Sequence, residues 1–204
     1  MSILIIGAGG HAKVAADILQ RCGQPVRGYV DDDAALWGQT RLGLPVLGGI
    51  DTYAQHAAQS FVMGIGGNAM RRALAARVGL SVHWRQAIHP SAIIAPSTHL
   101  GVGVLVAAGA IINPDAVIGD FAIINTGASV DHDCVIGAYA HIAPGAALAG
   151  GVQVGEGTLI GIGARVIPYK RIGAWAVIGA GAVVVRHVPD SVTAMGVPAR
   201  WTTE

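Results

Sequence analysis

The chain has 204 residues, enough for one large domain or two small ones, and its formal charge of +1 gives no argument for nucleic acid or an anionic membrane surface as partner. Only 12% of residues are charged and the mean hydropathy is +0.55, figures that by themselves invite a membrane reading. Residues 86 to 114 carry no Asp, Glu, Lys or Arg, but Pro90, Pro96, Pro114, His89 and His99 interrupt that stretch. A buried parallel sheet is equally continuous in its apolar residues, so a membrane-spanning helix is set aside.

In chain order, Ile3 to Ile6 form an apolar run followed by Gly7-Ala8-Gly9-Gly10-His11-Ala12. Met1-Ser2 leads into it without a basic flank, as in a soluble cytoplasmic protein. A helical pattern with Val14, Ala15, Ile18 and Leu19 on one face ends near Cys22-Gly23, and a strand over Val26 to Val30 stops at Asp31-Asp32-Asp33. Strand, glycine turn, helix, strand and acid make the opening of a nucleotide-binding βαβ unit, whose glycines let backbone N–H groups approach a phosphate. The bland alternative is a tight turn with no ligand.

A short helix is expected over 51 to 58, a buried strand over 61 to 65, and a helix opened by Gly66-Gly67-Asn68. That helix places Met70, Leu74 and Val78 on one side and Arg71, Arg72 and Arg77 largely on the other, before a last strand near 82 to 84. The first domain, residues 1 to 86, is half a dinucleotide fold; it can hold a mononucleotide but lacks the second half needed for NAD chemistry.

From Ile88 every sixth residue to Val184 is Ile, Leu or Val, seventeen in succession without insertion or deletion. The residue four later is usually small, as at Ala110, Ala116, Ala122, Ala128, Cys134, Ala140 and Ala146. This period belongs to a parallel β-helix in which three hexads make one triangular coil. It predicts an all-β domain over 87 to 189, nearly six coils, closed by a tail over 190 to 204 because an open last coil would expose its apolar interior.

In such a prism the branched and small positions are committed to the core, so chemistry falls to the others. The hexad Val130-Asp131-His132-Asp133-Cys134-Val135 concentrates titratable groups. A histidine oriented by a carboxylate is a general base near neutral pH, and either Asp131 or Asp133 can be that partner. A solvated corner is the competing reading. Asn125 and His141 point outward nearby, and Arg165, Lys170, Arg171 and Arg186 either meet phosphates or serve solubility. Cys134 occupies a core position and is read as a buried thiol. No zinc or calcium spacing occurs, and no metal is expected.

Together Gly7-Ala8-Gly9-Gly10-His11, Tyr29-Val30-Asp31-Asp32, Gly64-Ile65-Gly66-Gly67-Asn68, Asn125-Thr126-Gly127, Asp131-His132-Asp133 and Gly196-Val197-Pro198-Ala199 resemble the bacterial sugar O-/N-acyltransferases of left-handed β-helix fold. Within them the chain is most similar to acetyl-CoA-dependent N-acetyltransferases of nucleotide-linked 4-amino sugars, the bacillosamine and perosamine type. The resemblance implies a homotrimer with active sites between prisms. It implies His132 as base with Asp133 beside it, and Gly9, Gly10, His11, Asp31, Asp32 and Asn125 toward the nucleotide sugar. His141, Ile162 and Ala180 would face acetyl-CoA. Gly67 departs from the pattern, since relatives often carry Asn there, which weakens inference about the nucleotide base and not about the chemistry. The nucleotide (UDP, GDP or dTDP) stays open, as do sugar O-acetylation, a carbonic anhydrase-like metal protein and a non-catalytic β-helix scaffold.

Overall fold

The computed structural model describes residues 2–58, 60–79 and 82–202 and divides into two compact units, Met1–Pro90 and Ser91–Glu204. In the first, β1 (Ile3–Ile6) lies between β2 (Val26–Val30) and β5 (Ser60–Met63) in a parallel sheet, with a small hairpin of β3 (Thr40–Arg41) and β4 (Leu44–Pro45). All four residues of β1 are fully buried, as a central parallel strand covered on both faces must be. Helix α1 (Gly10–Arg21) buries Ala12, Ala15, Ala16, Ile18 and Leu19 as its apolar stripe. Val14, expected on that face, is half-buried.

Helix α2 (Asn68–Val78) corrects the sequence reading. Its buried stripe is Arg71, Leu74, Ala75 and Val78, while Met70 is exposed. Arg71 is 1% exposed, and its guanidinium donates to the carbonyls of Ile65 (3.2 Å) and Gly66 (2.8 Å) and to Asn68 Oδ1 (3.0 Å). The turn before the helix leaves carbonyls facing inward, and a fully donor-bearing side chain satisfies them where an apolar one would strand them. Residues 82 to 84 contribute a single bridge, Trp84 to Phe61, rather than a strand.

The second unit is a left-handed parallel β-helix. Two-residue strands pair with strands eighteen residues away, as Ser129 does with Ile111 and with Ala147. One face stacks Ile93–Ile94, Ile111–Ile112, Ser129–Val130, Ala147–Leu148, Arg165–Val166 and Val183–Val184. A second stacks His99–Leu100 through Arg171–Ile172, and a third runs from Leu105–Val106 to Thr193–Ala194. Every sixth residue from Val106 to Val184 is at most 3% exposed. Each such burial stabilises by about 1.5–3 kcal/mol before chain entropy is counted. The tail expected to close the prism adds the strand Thr193–Ala194 to the third face. Thr158 sits among the small inward residues, its hydroxyl donating to the Gly173 carbonyl at 2.6 Å and accepting from Ala176 N. Among the described residues no helix is long and apolar enough to cross a membrane.

Candidate active site

Residues 131 to 133 turn the corner between the first and second faces. Asp133 has φ +59°, the left-handed conformation that Asp tolerates better than branched residues, and this swings its carboxylate beside its neighbour. His132 Nδ1 and Asp133 Oδ2 are 2.7 Å apart, on a ring and a carboxylate that are about half exposed. Asp131 is engaged elsewhere: its Oδ1 accepts from His132 N (2.8 Å) and from Asn113 Nδ2 (2.7 Å), one coil below. Between the two carboxylates left open by the sequence, Asp133 therefore orients the imidazole, and Asp131 braces the corner. The hydrogen bond to Asp133, then the charge of Asp131, raises the His132 pKa above its ordinary value. The hydrogen bond from Asn113 holds the Asp131 carboxyl below the usual range. Burial pushes the Cys134 thiol up, and its Sγ donates to the Ala149 carbonyl, so it stays a protonated core group.

One coil above, Gly150 makes room for the ring. A Cβ there would stand 2.6 Å from both Cε1 and Nε2 of His132. The imidazole thus occupies the space a side chain at position 150 would fill, held at Nδ1 by Asp133. Asn113 and Gly150 were missed by the sequence reading, and the signal lay in the vertical step: they are 18 residues before Asp131 and 18 after His132.

Asn125 is at a different corner, between the third and first faces, and His141 opens the third-face strand one coil up, with Asn125 Nδ2 2.9 Å from His141 Nε2. The strand Ser129–Val130 separates this pair from His132, so a single prism does not bring all four polar residues together. Thr126, Pro144, Ile162 and Ala180 stack up this corner at successive coils, each carbonyl but the last accepting from the glycine 19 residues on. Ile162 is 62% exposed on this edge. Arg165 is pinned to the same edge, donating to the carbonyls of Gly145 (2.6 Å) and Gly163 (3.0 Å). On the face between the corners is an open groove of about 440 Å³ lined in part by Asn113, Ser129, Asp131, Ala149 and Arg165.

In the first unit, Gly7 holds φ +96°, a conformation that favours glycine, with the Ile65 side chain close by, whereas Gly9 and Gly10 border open space at the start of α1. Asp31 Oδ2 accepts from Ala8 N at 2.6 Å and so fastens the glycine turn. Asp32 is bound to Arg77 and accepts from Ile50 N (3.2 Å), and Arg77 also reaches Asp51 at 2.7 Å. Both acids expected to face a sugar nucleotide thus have backbone or arginine partners of their own. Burial, then the nearby Arg71 charge, lowers His11 to about 4, which keeps its imidazole neutral at physiological pH. Among the described residues no group of three or more His, Cys, Asp or Glu side chains is placed to hold a metal ion.

Residues 2–78 match the PglD N-terminal domain, and residues 115–150 match the bacterial transferase hexapeptide family of six repeats. Perosamine N-acetyltransferase from Caulobacter crescentus, solved with CoA and GDP-perosamine, is 47% identical over 100% of this chain and 98% of its own, with TM-score 0.94. The chain belongs to the CoA-dependent sugar N-acetyltransferases of the hexapeptide family. The acetyltransferase domain of PglB from Neisseria gonorrhoeae is 34% identical over 98% of this chain and 99% of its own, TM-score 0.92. That domain has also been solved with acetyl coenzyme A. WeeI from Acinetobacter baumannii is 29% identical over 99% and 100%, TM-score 0.90. An uncharacterised protein of Acanthamoeba polyphaga mimivirus is 35% identical over 101 residues, which is 50% of this acetyltransferase and 20% of the viral chain. Two of the solved Caulobacter forms carry a histidine replaced by Asn or Ala.

Proposed function

We propose that this acetyltransferase moves the acetyl group of acetyl-CoA onto the amine of a nucleotide-linked 4-amino sugar, with His132 as general base. The observation that carries the reading is the His132–Asp133 pair. Nδ1 is held at 2.7 Å by a carboxylate, the ring packs against Gly150, and in this reading Nε2 is the nitrogen that takes the proton. The sugar nitrogen forms its bond to the thioester carbonyl carbon, the carbon–sulfur bond breaks, and the nitrogen's proton passes to Nε2 and then to the leaving thiolate. Asp133 stabilises the imidazolium in between. Proton transfer of this kind contributes roughly 10²- to 10⁴-fold. A relative 47% identical over the whole chain was solved with CoA and GDP-perosamine, which favours a GDP-linked 4-amino-4,6-dideoxy sugar as the first acceptor to test.

A homotrimer belongs to the same proposal. His132–Asp133 and Asn125–His141 stand on different corners of one prism, and only a neighbouring copy can set one pair opposite the other. The first unit is then the nucleotide-sugar unit, its ligand lying against Gly9, Gly10 and the Asp31–Asp32 turn, and the exposed Ile162–Ala180 edge takes the pantetheine arm. The test is incubation with acetyl-CoA and GDP-, UDP- or dTDP-linked 4-amino sugars, following thiol release and product mass, with light scattering for the oligomer. An N-acetylated sugar from at least one donor–acceptor pair is the expected result. Thiol release that is independent of every amino sugar sinks the reading.

A further inference from the structure

Aromatic side chains recur at left-handed corner positions of this prism, each lying over the backbone one coil below. Phe121 (φ +55°) covers Gly103, Trp175 (φ +57°) covers Gly157, and Tyr139 (φ +58°) stacks on Phe121 with ring centroids 5.4 Å apart. Those three turn the corner between the second and third faces, where Phe121 is 1% exposed and Tyr139 and Trp175 are half-buried. Packing accounts for them. Tyr169 (φ +59°) has the same geometry but a different setting: it is on the His132 corner and is 70% exposed. A bulky residue held at positive φ without burial in return is a backbone cost that packing does not explain.

Its position supplies the missing use. A Cβ on Gly151 would stand 2.5 Å from the Tyr169 ring, and one on Gly150 would stand 2.6 Å from His132. Tyr169 N donates to the Gly150 carbonyl, and Gly151 N donates to the His132 carbonyl. The imidazole therefore covers the Gly150–Gly151 step from the coil below, and the phenol covers it from the coil above. The two sides differ in polarity. Below the glycines are the acceptors Asp131 and Asp133; above them the same corner presents Ile167 (38% exposed) and Tyr169, with Lys170 next in the chain.

We propose that Tyr169 is a ligand-contacting wall of the His132 site on its thioester side, its ring flanking the pantetheine arm of acetyl-CoA while the amino sugar approaches from the side of the acids. This rests on the function proposed above. The apolar ring and its hydroxyl suit an alkyl-amide chain, and the carboxylates suit the N–H groups of an amine acceptor. The deciding experiment is calorimetric binding of CoA to the intact wild-type chain and to Tyr169→Gly, with KM measured for each substrate. Glycine is at ease at positive φ, so that variant keeps the fold while losing the ring. The expected outcome is CoA affinity and KM for acetyl-CoA weakened about tenfold, the order of one lost stacking contact, with the KM for the sugar and the acid limb of the pH profile unchanged. A change confined to the sugar KM overturns the assignment to the thioester side. Unchanged CoA affinity with an altered oligomeric state by light scattering makes Tyr169 a subunit contact and overturns the ligand role. Wild-type protein that binds no CoA would instead remove the proposed function itself.

Discussion

The two units place functional side chains by different rules. In the β-helix, position within a six-residue frame decides burial, and vertical neighbours are eighteen residues apart, as Asn113 and Asp131 are. In the α/β unit no frame exists, and each polar group finds its own partners, as Arg71 does with two carbonyls and Asn68. A repeat therefore exposes its chemistry by subtraction, because whatever is not core is free to act. An irregular domain hides polar groups inside itself, and an arginine on a helix is not thereby a surface arginine.

The sharpest way to break the comparison is His132→Ala. If the corner residues are functionally free and structurally dispensable, kcat falls roughly 10²- to 10⁴-fold while the thermal midpoint holds; an unchanged rate removes His132 as the base. Gly150→Ala comes next. The new methyl displaces the imidazole from the coil above, and kcat should fall by about 10²-fold with little change in KM, since a misplacement near 1 Å costs that much. A crystal structure with the ring unmoved would contradict it.

Arg71→Met probes the other unit. It strands the Ile65 and Gly66 carbonyls, so unfolding free energy should drop by about 1–3 kcal/mol in a denaturant titration, where a surface arginine would cost almost nothing. The same variant removes a charge that depresses His11, whose titration by NMR should move up from about 4.

The mildest is Asp133→Asn. His132 is raised above its ordinary value mainly by Asp133, and a base works only when neutral, so wild-type activity is lost as pH falls through that raised value. With the amide the imidazole titrates lower, and the acid limb of kcat/KM should shift to lower pH alongside a loss of about tenfold or less. A limb that moves upward would assign the orientation of His132 to another group.

Part of the candidate site's geometry was legible before any coordinates. The hexad at Val130 singled out His132, and Cys134 fell in the core frame where the structure has it, 0% exposed. The partner of His132 was not legible, because both neighbouring carboxylates satisfy the sequence. The positive φ of Asp133 and the hydrogen bond from Asn113 to Asp131 separate them. Nor was the split between the His132 corner and the Asn125–His141 corner visible, since seven residues in sequence become one full face of the prism.

The sequence by itself determined the prism, its core and its corners, for the physical reason that branched side chains at a strict period of six have one way to be buried together. It also marked the glycine turn of the first unit. Only the tertiary structure decided which corner residues meet. Contacts one coil up or down depend on the stacking register and on where a missing Cβ leaves room, as at Gly150 above His132 and Gly151 beneath Tyr169. Only the folded chain showed Arg71 inside the first unit, because the carbonyls that draw it inward come from a turn whose conformation no periodicity encodes.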